Sequence, residues 1–355
     1  MSTIPVDIDE KRAPPMAVPL RHFVVGMGFL SVGALVGTAA GLDAAVGGRL
    51  AHVHLLLAGW VCVTIMGAMT QFVPVWSGVG LHSRRLATAQ LWIVSAGLLG
   101  FVAALLSGAT EWLAFGASGM LVGFWVFVYN IARTLASARP WDVTERHFAV
   151  ALGFFLALTV LGFSLALGYS YPVFAELPIG RENVRMAHVT LAIFGAVLTT
   201  VFGALYQLAT MFTQTDLRGV DVSIRRFETV GYPAGVVMLA TGRLFEAGLL
   251  ARIGGALVAS SVLGVSIVLF RRLHETRVPR TPMLRRYAIV AAALALWAVL
   301  TLPAWARDPL AAASLYGAAG TVHLLAFGAI GFVVLGTLYH VVPFIVWVHR
   351  YSDLL

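Results

Sequence analysis

The chain has 355 residues, of which 59% are hydrophobic and 11% charged, and its mean hydropathy is +0.88. Those values exclude a soluble globular domain and define an integral membrane protein. The net charge of +8 lies in short segments between apolar runs, so it belongs to membrane topology and no nucleic-acid partner is expected.

In chain order the apolar runs cover residues 21–41, 52–77, 86–107, 111–136, 148–170, 186–212, 227–247, 249–270, 287–304 and 312–347. Each approaches or exceeds the ~20 residues that a helix needs to span a bilayer. Period-2 alternation is absent and Gly, Ala and Leu dominate, so the spans are read as helices packed closely through their glycines. The fold class expected is all-α, about ten transmembrane helices in one membrane domain. Residues 1–20 are polar and carry no signal-peptide core. The single cysteine, Cys62, sits inside an apolar run and can form no intrachain disulfide.

Three of the runs repeat one another without a gap. AHVHLLLAGW begins at Ala51, AHVTLAIFGA at Ala187 and GTVHLLAFGA at Gly320. One column holds His52, His188 and Thr321, and the next but one holds His54, Thr190 and His323. Further columns hold Gly59, Gly195 and Gly328; Gly67, Gly203 and Gly336; Gln71, Gln207 and His340; and Pro74, Thr210 and Pro343. The chain is therefore a threefold repeat with units at 21–136, 148–270 and 287–347, the third truncated.

Basic residues set the orientation. With the N-terminus inside, only Arg49, Arg181, Arg185, Arg243, Arg252 and Arg307 of the 24 Lys and Arg fall outside. The expectation is a multi-pass protein of the cell membrane with both termini cytoplasmic. Helices 2, 6 and 10 then run inward, and His52, His54, His188 and His323 lie at one depth in the outer part of the membrane. Ionisable groups there are costly and mark function by default, against a plainer reading as helix caps. His52 and His54 differ by ~200° around their helix, so one helix could serve two centres, one toward helix 10 and one toward helix 6. Imidazole is a good ligand for iron or copper, and a b-type haem between His323 and a helix 2 histidine would take one axial nitrogen from each of two helices. The glycines beyond the histidines would admit a flat macrocycle. Arg49 and Arg185, each three residues ahead of a histidine, stand where haem propionates need a cation. Arg243 is read as a further propionate partner or a snorkelling side chain. His340 is read as a packing histidine, ~25 Å along the helix from His323. Nothing is assigned to His22, His82, His147, His274 and His349. Glu111, Glu228 and Asp43 are read as solvated helix termini.

These residues resemble the catalytic subunit I of haem-copper oxidases and also the NnrS membrane proteins. The H-x-H run at 52–54, followed by Gly67 and Pro74, is similar to motifs of both. His323 with Gly336, His340 and Pro343 is similar to the oxidase tenth helix, where the resemblance implies a low-spin haem ligand at His323. Thr321 replaces that family's high-spin haem ligand, 227–247 holds no histidine for its copper pair, and Ala192 stands where its tyrosine would be. The resemblance thus implies haem b at His323 with His52 or His54, serving electron transfer or the handling of O2 or NO. The column that His188 shares with His52 adds a further expectation, that His188 and whichever helix 2 histidine faces away from helix 10 hold copper or a second haem. The rival readings are a true terminal oxidase or nitric oxide reductase subunit with a non-standard active site, and a non-haem transporter with structural histidines. The partners expected are the lipid bilayer and an electron-donor cytochrome or partner subunit.

Overall fold

The computed structural model describes residues 14–43, 47–175 and 178–351, with side chains as far as Trp347. Lys11 and Arg12, used above for orientation, and the segment 1–13 lie outside the described residues. Ten long helices follow one another: α1 (Ala17–Gly41), α2 (Gly48–Ser77), α3 (Arg84–Ser107), α4 (Thr110–Ala136), α5 (Val143–Leu167), α6 (Arg181–Thr213), α7 (Val220–Leu244), α8 (Gly248–His274), α9 (Pro282–Arg307) and α10 (Leu324–Trp347). Among the described residues nine of these are long and apolar enough to cross a membrane. The exception is α7, whose first turns carry Asp221, Arg225, Arg226 and Glu228.

The helices match the expected runs closely, with one clear difference at the last. Residues 312–321 are not helical span but a short turn and loop. Gly317 adopts φ of 109°, and a Cβ there would stand 2.5 Å from Thr301 Oγ1, so the chain turns where only glycine fits. His323 consequently lies in the first turn leading into α10, with helical backbone angles and no side-chain capping bond.

Two compact units divide the chain. The first holds α1–α4, Ala166–Val173 and the stretch from Val341; the second holds Asp142–Leu165 and Phe174–His340. Within the first, α1 packs on α2 and α3 on α4; within the second, α7 packs on α8, α8 on α9, α6 on α7, and α9 on the start of α10.

The repeat read from α2, α6 and α10 extends to the helix before each. Phe29 of α1 fills the face of Gly59, and Phe154 of α5 fills that of Gly195; Ala293 of α9 meets Gly328. At the next glycine column His22 meets Gly67, His147 meets Gly203 and Arg286 meets Gly336. These glycine faces are filled by neighbouring side chains, so within each helix pair they are close-packing positions and leave no room for a flat macrocycle. The third and fourth helices repeat too: Gly97 of α3 lies on Gly116 of α4, as Gly235 of α7 lies on Gly254 of α8.

Each repeat also widens its second helix at one place. Leu55–Cys62, Leu191–Leu198 and Leu324–Gly331 are π-helical, and each begins on the residue after the second histidine column. A π turn misaligns backbone partners and frees carbonyls, and such segments concentrate at functional sites. In α6 the released Phe194 carbonyl accepts a 2.6 Å hydrogen bond from Tyr232 Oη of α7.

Candidate functional site

The starts of α2, α6 and α10 carry the histidine columns, and neighbouring helices hold these rings in a repeated way. His52 Nδ1 donates to the Gly33 carbonyl of α1 at 2.7 Å, and its ring lies on Gly37, where a Cβ would come within 2.3 Å of Nδ1. His188 Nδ1 donates to the Leu158 carbonyl of α5 at 2.9 Å, with its ring on Gly162. In both, the accepting carbonyl belongs to the residue one helical turn before the glycine. A carbonyl only accepts, so Nδ1 carries a proton, and in a neutral ring the lone pair then lies on Nε2. The third repeat has lost this cradle: Thr301 replaces the glycine and accepts from Ala318 N–H, and Thr321 Oγ1 donates to the Ala318 carbonyl.

The second column behaves differently. His54 Nδ1 donates to Leu50 of its own helix at 2.9 Å, and its ring tilts against Phe101 of α3 with centroids 4.9 Å apart. His52 and His54 thus part to opposite sides, as their spacing predicts, but with ring contacts on α1 and α3 in place of the sixth and tenth helices expected. Thr190 accepts from Arg243, and His323 is exposed, stacked on Phe327 of the next turn. His340 meets the Phe212 ring edge-on at 5.0 Å, a packing role as expected.

Of the cations, Arg49 is exposed, while Arg185 is held by Glu182, with Nε 2.7 Å from Oε2. Arg243 is neither a snorkelling side chain nor open to a ligand. It is 1% exposed and donates to Thr190 Oγ1 and to the carbonyls of Pro309, Ser314 and Leu315, clamping the 308–316 loop to α6 and α7.

Among the described residues no three His, Cys, Asp or Glu side chains gather as metal ligands, so a multi-ligand copper set is not assembled. A haem asks less of the protein. One or two imidazoles with a fixed ring and a lone pair on Nε2 are what it requires, and His52 is pinned through Nδ1 by a neighbouring helix.

A second polar site was missed by the sequence reading. Glu228, taken above for a solvated helix start, is fully buried. Its carboxylate lies 3.0 Å from His147 Nε2 through both oxygens, and Tyr206 Oη donates to Oε2 at 3.1 Å. Glu111 and Asp43 are exposed, as read. In the first unit His22 takes the place of His147 and faces Gln90, amide nitrogen to Nε2 at 3.4 Å. The signal was present: HFVVGMGF at 22–29 returns as HFAVALGF at 147–154.

No family model matches the chain. It is 27% identical over 142 residues to the "Cytochrome c oxidase subunit 1 homolog, bacteroid" of Bradyrhizobium diazoefficiens. The match covers 39% of this chain and 23% of that protein, so the chain spans less than a quarter of its relative. The chain is an all-helical, multi-pass membrane protein with limited similarity to an oxidase subunit I homolog. The match speaks for the oxidase side of the resemblance and not for the NnrS side.

Proposed function

We propose that the chain is a haem-carrying membrane protein of the oxidase subunit I type, serving electron transfer or the handling of a diatomic gas such as O2 or NO. The observation that carries this reading is the pinned imidazole of His52, with Nδ1 bound to a neighbouring helix and Nε2 facing away from that bond. The resemblance of the His323 segment to the oxidase tenth helix adds His323 as the second imidazole that would hold the haem. His54, bound only to its own helix, is the alternative to His52. Arg49 would meet a propionate, whereas Arg185 already has Glu182. When bound, a b-type haem supplies a one-electron carrier, or a gas site where an axial position opens. Copper or a second haem at His188 is a subsidiary proposal, tested by metal analysis of His188→Ala.

A reduced-minus-oxidised optical spectrum of the purified protein tests the reading. One six-coordinate b-type signal is expected, lost in His323→Ala and in His52→Ala but kept in His54→Ala. A spectrum without haem bands favours the transporter, and a second, gas-binding haem favours a true oxidase or nitric oxide reductase subunit. We further infer a cell-membrane location with cytoplasmic termini. A reporter fused after Leu355 should read cytoplasmic, and one in loop 172–184 external; the reverse would remove the four histidines from the outer face.

A further inference from the structure

We propose that His147, Glu228 and Tyr206 form a proton-binding site in the interior of the second unit, separate from the histidines at the helix starts. The argument is one of hydrogen-bond capacity. His147 Nδ1 lies 2.7 Å from the Val143 carbonyl, which can only accept, so Nδ1 carries a proton. Nε2 then faces the Glu228 carboxylate at 3.0 Å, lone pair against lone pairs unless a further proton lies between them. That proton sits on Nε2 as an imidazolium–carboxylate pair, or on the carboxyl beside a neutral ring. In either case the pair holds one proton more than neutral histidine with ionised glutamate. Tyr206 satisfies another carboxylate lone pair.

Burial makes the site exacting. His147, Glu228 and Tyr206 are each at most 5% exposed, and an intramembrane charge without its partner is costly. Tyr206 lies seven residues before the end of α6, about 10 Å along the helix from the 214–219 loop. It also lines a small cavity whose other walls, among them Ala209, Leu217, Val265 and Leu269, are apolar. The surrounding groups are few. Arg225 and Asp221 of α7 are the next charges felt at Tyr206, Asp221 is bound to Arg271 and Arg272 of α8, Glu145 of α5 accepts from Asp142 N–H, and Tyr232 donates to Phe194.

The first unit supplies an internal control. His22 has the same Nδ1 bond, to the Val18 carbonyl at 2.8 Å, but its Nε2 faces an amide that can donate. That pair needs no additional proton. The fold therefore accommodates glutamine opposite this histidine, and Glu228→Gln should fold.

The test uses the full chain in lipid nanodiscs with 15N-histidine and 13C-glutamate, the signals assigned by loss in His147→Asn and Glu228→Gln. Near neutral pH the expected result is either a doubly protonated His147 ring or a protonated Glu228 carboxyl. One proton is then lost as pH rises, and Glu228→Gln leaves His147 neutral like His22. A neutral His147 beside an ionised Glu228 overturns the proposal, as does a His147 protonation state that Glu228→Gln leaves unchanged.

Discussion

Helices α1–α4 and α5–α8 share one skeleton and fill it with opposite chemistry. In the first set the buried polar positions are neutral: His22 with Gln90, and Ser83 with Asn130 and Thr134, whose side chains receive the His82 and Ser83 N–H groups at 3.1 and 2.9 Å. In the second set the matching places are ionisable: His147 with Glu228, and Asp221 with Arg271 and Arg272 at 2.7 Å each. Glycine contacts, π segments and the glycine-backed histidine recur in both. The skeleton does not need the charges, since the first set stands without them. Buried ion pairs are poor sources of stability compared with apolar or neutral substitutes, so the charges of the second set are better explained by proton binding and exact positioning than by holding the helices together.

The largest expected difference lies in removing the histidine from each set. His147→Ala strands the Glu228 carboxylate in a buried place, at a cost of about 3–5 kcal/mol. His22→Ala leaves only a neutral amide short of one weak bond, about 1–2 kcal/mol. Unfolding in detergent micelles, read by circular dichroism against denaturant, measures both. Equal losses would mean that the carboxylate is no more dependent on its partner than the amide, and the contrast would fail. Glu228→Gln, which copies the first set into the second, is expected to change stability by less than about 1.5 kcal/mol.

A smaller pair of changes tests what the sets share. Gly37→Ala and Gly162→Ala each drive a methyl into a histidine ring, with Cβ approaches of 2.3 and 2.8 Å. Overpacking of this kind costs about 1–3 kcal/mol, and the closer approach should cost more. Because His52 is the proposed axial ligand, Gly37→Ala should also perturb the haem spectrum while Gly162→Ala leaves it intact. A spectrum altered by Gly162→Ala alone would move the ligand to His188.

Helix number and most boundaries were legible because bilayer thickness imposes a length and apolar composition that any span must show. The threefold register of α2, α6 and α10 was legible for the same reason: glycines and histidines stand out against an apolar background. What escaped were residues whose role depends on a partner far along the chain. Glu228 reads as a helix-start acid until His147 and Tyr206 are found beside it, and Arg243 reads as interfacial until four acceptors close around it. The π segments left only a mid-segment glycine as a trace, since backbone widening has no residue code of its own. The α1/α5 repeat is written in the sequence as well, in HFVVGMGF at 22–29 and HFAVALGF at 147–154.

The smallest effect expected is at the polar ends of α3–α4 and α7–α8. Ser83 caps α3 by accepting the Leu86 N–H, so Ser83→Ala should cost about 1 kcal/mol, independent of salt and of pH. Glu275, just past α8, is its charged counterpart, hydrogen-bonded to Arg218 at 2.8 Å and to Arg272 at 2.9 Å. Desolvation pushes its carboxyl up, but the Arg218 hydrogen bond and the Arg272 and Arg218 charges outweigh it and hold the group below its ordinary value of 4.5. A carboxyl depressed in the folded state contributes stability above its unfolded pKa and loses it as pH falls through the folded value. Glu275→Gln should therefore lower the apparent Tm slightly at pH 7, by less than Ser83→Ala, because Arg218 is largely exposed and the pair is screened. The gap should narrow on adding salt and close on acidification below the ordinary carboxylate range, whereas the Ser83→Ala deficit persists under both. A Glu275→Gln deficit that survives high salt and low pH would show that this end, like that of α3–α4, is held by geometry and not by charge.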